Sequence, residues 1–125
     1  MKEEDSINEE NHPGYNLKEI YNMTNDKEFI KDMLMLFIKG TSEGLTAIKR
    51  GIKNDSWEYV AHQAHKISAP CKHIEADRLY LLLKGIENKV KTEHSTLHIG
   101  KLVIELEEEI NKIIGHLEIE LHTIQ

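Results

Sequence analysis

Over residues 27–52 apolar side chains return every three or four positions: Phe29, Ile30, Met33, Leu34, Phe37, Thr41, Leu45, Ile48 and Ile52. That spacing is one face of an α-helix, and Asp26 is placed to cap its first turn. Gly40 and Gly44 weaken this helix locally but permit close packing. Asn54 and Asp55 mark a break and the next cap. A second stripe follows in Trp57, Val60, Ala64, Ile67, Cys71 and Ile74. A third, starting at Asp77, carries Leu79, Leu82, Leu83, Ile86 and Val90, and residues 92–95 are polar. The last stripe is Ile99, Val103, Leu106, Ile110, Ile113, Leu117, Leu121 and Ile124. Tyr15, Leu17, Ile20 and Tyr21 fit a short amphipathic turn ahead of the first long helix. Each stripe needs an apolar partner. With short connections, the chain predicts an all-α fold: an antiparallel four-helix bundle with a short additional N-terminal helix. No alternating strand pattern and no internal repeat occurs.

Composition sets the limits of this picture. The 125 residues suit one domain with one core. Residues 1–14 are polar and acidic, and bury too little to offset ordering entropy. They read as a flexible acidic tail, leaving 15–125 as the bundle domain. Met1 and this tail lean toward a free-standing protein. The formal net charge of -6 argues against nucleic acid as the main partner. The single cysteine, Cys71, forms no internal disulfide and fits a reducing compartment. No apolar run reaches bilayer length, so no membrane insertion is expected. The N-terminus lacks the apolar segment of a secretory signal. A cytoplasmic monomer is the expectation.

The helix carrying the second stripe also carries candidate chemistry. At about 100° per residue, His65 lies roughly 130° from the centre of the stripe and faces water. Glu58, Ala61, His62, Ser68, Ala69 and Lys72 are its neighbours at helical spacings. Most are small or cationic, which leaves the imidazole accessible and favours added negative charge. A neutral imidazole attacks through a ring-nitrogen lone pair. By itself an exposed helical histidine is more often inert surface. Pro70 breaks a helix hydrogen bond and crowds the preceding turn, so the helix kinks or ends there. The simpler reading is that it turns the chain toward the next helix.

The segment AHQAHKISAPCKHIEADRLYLLLKGIE resembles the signature of histidine-containing phosphotransfer (HPt) domains of bacterial two-component phosphorelays. Ala64 and His65 match the phospho-accepting pair, and Ala76, Leu79, Leu83 and Glu87 match the following helix. Many members of that family carry Lys three residues and Gly four residues after the histidine, where this chain has Ser68 and Ala69. Many also carry Gly where this chain has Glu75. The resemblance implies a phosphorelay carrier without autonomous catalysis. His65 accepts a phosphoryl group from a receiver-domain aspartate and passes it to another receiver. It implies response-regulator receiver domains and a hybrid sensor histidine kinase as partners, with Mg²⁺ bound by the receiver and no cofactor on this chain. Lys72 is the expected substitute cation. Ser68, Ala69, His62 and Ala61 complete the expected phosphate and receiver face. A carrier must hold its phosphate without hydrolysing it, and the one Asp or Glu placed to activate water there is Glu58, two turns back.

Two other readings compete. The eight histidines include the one-turn pairs His62 with His65 and His94 with His98, which suggests a metal-binding bundle. No cysteine pair or Glu-x-x-His accompanies them. A degenerate HPt-like bundle acting only as a protein-interaction adaptor is the alternative, and Ser68 and Glu75 are its best support. No Gly-x-Ser-x-Gly or P-loop suggests a hydrolase.

Overall fold

The computed structural model describes residues 12–124. They form five α-helices, one 3-10 helix and no strand. The helices are α1 (Lys18–Met23), α2 (Lys27–Lys53), α3 (Trp57–Ser68), α4 (Asp77–Thr92) and α5 (Thr96–Thr123). The 3-10 helix, Ala69–Lys72, follows α3 directly. None of the described helices is long and apolar enough to cross a membrane.

Local chemistry explains most boundaries. The Asp26 carboxylate accepts from the Phe29 amide at 3.1 Å and caps α2, and the Ser95 hydroxyl accepts from the His98 amide at 3.3 Å to cap α5. The α2–α3 break differs from expectation. Asp55 turns the chain with φ 54, and the residue before α3 is Ser56, which makes no side-chain cap bond. Pro70 ends α3 by tightening it into the 3-10 turn. The Ala76 amide then donates to the Cys71 carbonyl at 2.9 Å, and α4 begins.

The stripes converge on one core. Leu34, Ile48, Leu79, Leu83, Leu106 and Ile113 are among its fully enclosed side chains. Each contributes about 1.5–3 kcal/mol relative to exposure. Packing joins α2 to α3, α3 to α4, α4 to α5 and α5 back to α2. Phe29, expected in the first stripe, is instead 53 % exposed. It sits in the capped first turn, where Ile30 turns inward in its place. α2 and α3 pack closely at Gly44, where a Cβ would stand 2.5 Å from Ile67 Cγ2.

Tyr15, Leu17 and Ile20 are buried, and the exposed Tyr21 hydroxyl donates to Glu120 on α5 at 3.0 Å. Packing also begins ahead of the expected domain start. Gly14 is buried with φ 91, and the Asn16 amide donates to the Ile74 carbonyl at 2.8 Å. A Cβ on Gly14 would come within 2.8 Å of Glu109, so glycine fits both the backbone and the space. Of the expected tail, residues 12–14 are described and residues 1–11 lie outside the described residues.

Candidate functional site

His65 sits on the outward side of α3, with its side chain 64 % exposed. Ala64 beside it is fully buried, so the helix turns one residue into the core and the next to solvent. The ring does not stand alone. Its Nδ1 lies 3.2 Å and 3.3 Å from the two carboxylate oxygens of Glu87 on α4. Glu87 is itself buried, at 7 % exposure. Its carboxylate also accepts from Lys84 Nζ at 2.8 Å and from Lys91 Nζ at 3.4 Å. Lys84 Nζ is 3.4 Å from His65 Nδ1 as well. Lys84, Glu87 and Lys91 are spaced three and four residues apart, which places them on one face of α4.

The electrostatics follow from this clustering. Burial opposes ionisation of Glu87, but hydrogen bonds from Lys84, His65 and Lys91 outweigh it and hold the carboxyl below its ordinary range. The hydrogen bond to Glu87 raises the Lys84 ammonium above its usual value. Two neighbours meet Nδ1: the Glu87 carboxylate favours a proton on that nitrogen, and the Lys84 ammonium, a donor only, favours its lone pair.

The residues expected around His65 are distributed differently. Ala61 and His62 line an open groove of about 650 Å³ between α3 and α4 together with His65, Glu87 and Lys91. Ala61 is buried at its floor and His62 is exposed. Glu58 lines the same groove, but Glu87 is the carboxylate that meets the ring. Ser68 is buried, and its hydroxyl donates to the His65 carbonyl at 2.7 Å, turned to its own helix rather than the imidazole. Ala69 is exposed in the 3-10 turn. The Lys72 ammonium lies over the Tyr80 ring, 5.0 Å from its centre. A change from α-helix to 3-10 between residues 68 and 69 breaks the simple wheel that put Lys72 beside His65. Sequence reasoning missed Lys84 and Lys91, and gave Glu87 no part in the site. The available signal was a carboxylate inside an apolar stripe, between Leu83 and Val90.

The histidine pairs are engaged in other ways. His94 stacks on Trp57 with centroids 5.3 Å apart and planes 7° from parallel. His98 pairs through Nδ1 with Glu93. No group of three or more His, Cys, Asp or Glu residues suited to a metal occurs among the described residues. Burial pushes the Cys71 thiol up to about 12, which suits a packing role rather than a nucleophile. A second depression, of about 610 Å³, lies between α2 and α3 and includes Leu36, Tyr59, Lys66 and Pro70 but not His65. Comparisons with family models, with curated proteins and with solved structures found no match to this chain.

Proposed function

We propose that this protein is a phosphorelay carrier of the HPt type, an antiparallel four-helix bundle with a short N-terminal helix that works in the cytoplasm. The observation that carries this reading is the exposed His65 ring held through Nδ1 by the buried Glu87 carboxylate. A nucleophile for phosphoryl transfer needs a fixed ring, a free lone pair and open access for a bulky partner. In this reading the Glu87 carboxylate orients the ring and holds a proton on Nδ1, so Nε2 is the nucleophile, and the exposure of the side chain supports access to it.

In the proposed reaction Nε2 attacks the phosphorus of a phosphoaspartate on a receiver domain. The Nε2–P bond forms, the P–O bond to the aspartate breaks, and the aspartate leaves as a carboxylate. His65 keeps its Nδ1 proton, so positive charge develops on the ring as the bond forms. Glu87, 3.2 Å away, offsets that charge. Mg²⁺ belongs to the receiver, and this chain contributes positioning rather than a complete catalytic site. The reverse reaction onto a second receiver uses the same groups. The small side chain of Ala61, which lines the same groove as His65, leaves room for a docking partner.

The test is label transfer from a phosphorylated receiver in the presence of Mg²⁺. The wild-type protein should acquire acid-labile, base-stable phosphate, and His65→Gln should acquire none. His62→Gln should retain it. Glu87→Gln should slow the transfer about tenfold, because a charge-assisted hydrogen bond becomes a neutral one. Labelling of the His65→Gln protein at the wild-type level would overturn the assignment. An unlabelled wild-type protein that still binds receivers would favour an adaptor.

A further inference from the structure

A phosphoryl group on His65 would sit close to the Glu87 carboxylate, which repels it. A phosphorylated side chain carries about -1.5 to -2 charge near neutral pH. Glu87 lies 3.2 Å from Nδ1 of the ring that would carry the phosphoryl group on Nε2, so cations nearby favour the phosphorylated form. The lysines nearest in sequence do not supply them. Lys72 rests on the Tyr80 ring, and Lys66 lines the depression between α2 and α3. The cations gathered at the ring come from α4 instead. Lys84 Nζ is 3.4 Å from His65 Nδ1, and Lys91 Nζ is 3.4 Å from the Glu87 oxygen Oε2, which itself lies 3.2 Å from the ring.

The geometry points to Lys84 and Lys91 as a two-lysine cradle for the phosphoryl group on His65, supplied by the neighbouring helix and assembled around Glu87. The inference rests on the phosphocarrier reading above. In the resting protein the two ammonium groups flank one carboxylate, three residues before it and four after it. With Glu87 ionised and both lysines charged, the three side chains carry a net charge of about +1 before the phosphoryl group arrives. The side chains are 29 % and 57 % exposed for Lys84 and Lys91, so neither is locked in the core. Their flexible stems let each ammonium turn from Glu87 to a phosphoryl oxygen on Nε2 by torsional change alone. Glu87 thus has two tasks: it orients the imidazole and gathers the cations that the product needs.

Phosphoramidate tests this cradle without a receiver. Attack by Nε2 on its phosphorus forms the new N–P bond, breaks the bond to nitrogen and releases ammonia, with the Nδ1 proton retained on the ring. In the full-length protein, Lys84→Gln and Lys91→Gln should each lower the initial labelling rate about tenfold. Lys84→Arg should restore most of the rate, and the double Gln variant should lose the salt dependence of labelling. Lys89→Gln, a charge change elsewhere on α4, serves as the control and should stay within twofold of wild type. Circular dichroism checks that each variant is folded, and the Arg variant separates charge from shape. If the folded double variant labels at the wild-type rate with unchanged salt dependence, the cradle is wrong while His65 remains the acceptor. Slowing by Lys72→Gln in place of the α4 variants would also overturn it. If neither phosphoramidate nor a phosphorylated receiver labels the wild-type protein, the carrier reading itself fails.

Discussion

At the scale of single residues, the informative group is a carboxylate in the wrong company. Glu87 occupies a buried position on the apolar side of α4 and stays ionised because Lys84, His65 and Lys91 all reach it. Its carboxyl is held below the ordinary range. The linked stability is therefore complete above about pH 4.5, the usual glutamate region, and is lost as pH falls through the lower folded value. Thermal melts between pH 7 and pH 3 should show a smaller loss on acidification for Glu87→Gln than for wild type. An equal or larger loss would remove Glu87 as a source of acid sensitivity. The outward direction of His65 was legible in the helical wheel, which needs only local geometry. Its partners Lys84 and Glu87 were not, because they lie 19 and 22 residues further on and meet it only when α3 and α4 pack in one register.

At the scale of elements, the packing of α3 depends on what α2 leaves out. Gly44 lies where a Cβ would meet Ile67 at 2.5 Å, and Ile67 is itself buried. Gly40, one turn earlier, faces open space. Gly44→Ala should destabilise the protein by about 1–3 kcal/mol through overpacking. Gly40→Ala should stabilise it by up to about 1 kcal/mol through helix propensity. Urea titrations that rank the two variants the other way would refute this account of the α2–α3 contact. The loop into α4 shows the same division. Glu75 has φ 50, a left-handed conformation in which glycine is the least strained residue. Glu75 lies in the connection before α4, so it bears on the backbone of that loop.

At the scale of the whole molecule, stability rests on a core shared by all four long helices. Leu83 is fully buried in it, whereas Leu81, two residues earlier on the same helix, is 67 % exposed. Leu83→Ala should cost about 2–5 kcal/mol, a large part of the stability of a domain this size. Leu81→Ala should change it by less than about 0.5 kcal/mol. Equal denaturation midpoints for the two variants would contradict the placement of α4. By itself the sequence determined the long helices, most of their ends and the outward direction of His65, because periodicity and capping act within a few residues. It also determined that Cys71 would be buried, since that residue falls on an apolar stripe. Tertiary structure alone decided that Glu87 and Lys84 meet the imidazole, that Ser68 turns to the backbone and that Lys72 rests on Tyr80. Those contacts depend on the rotation and register of one helix against the next and on the 3-10 turn at Pro70. Both are set by how the whole core packs.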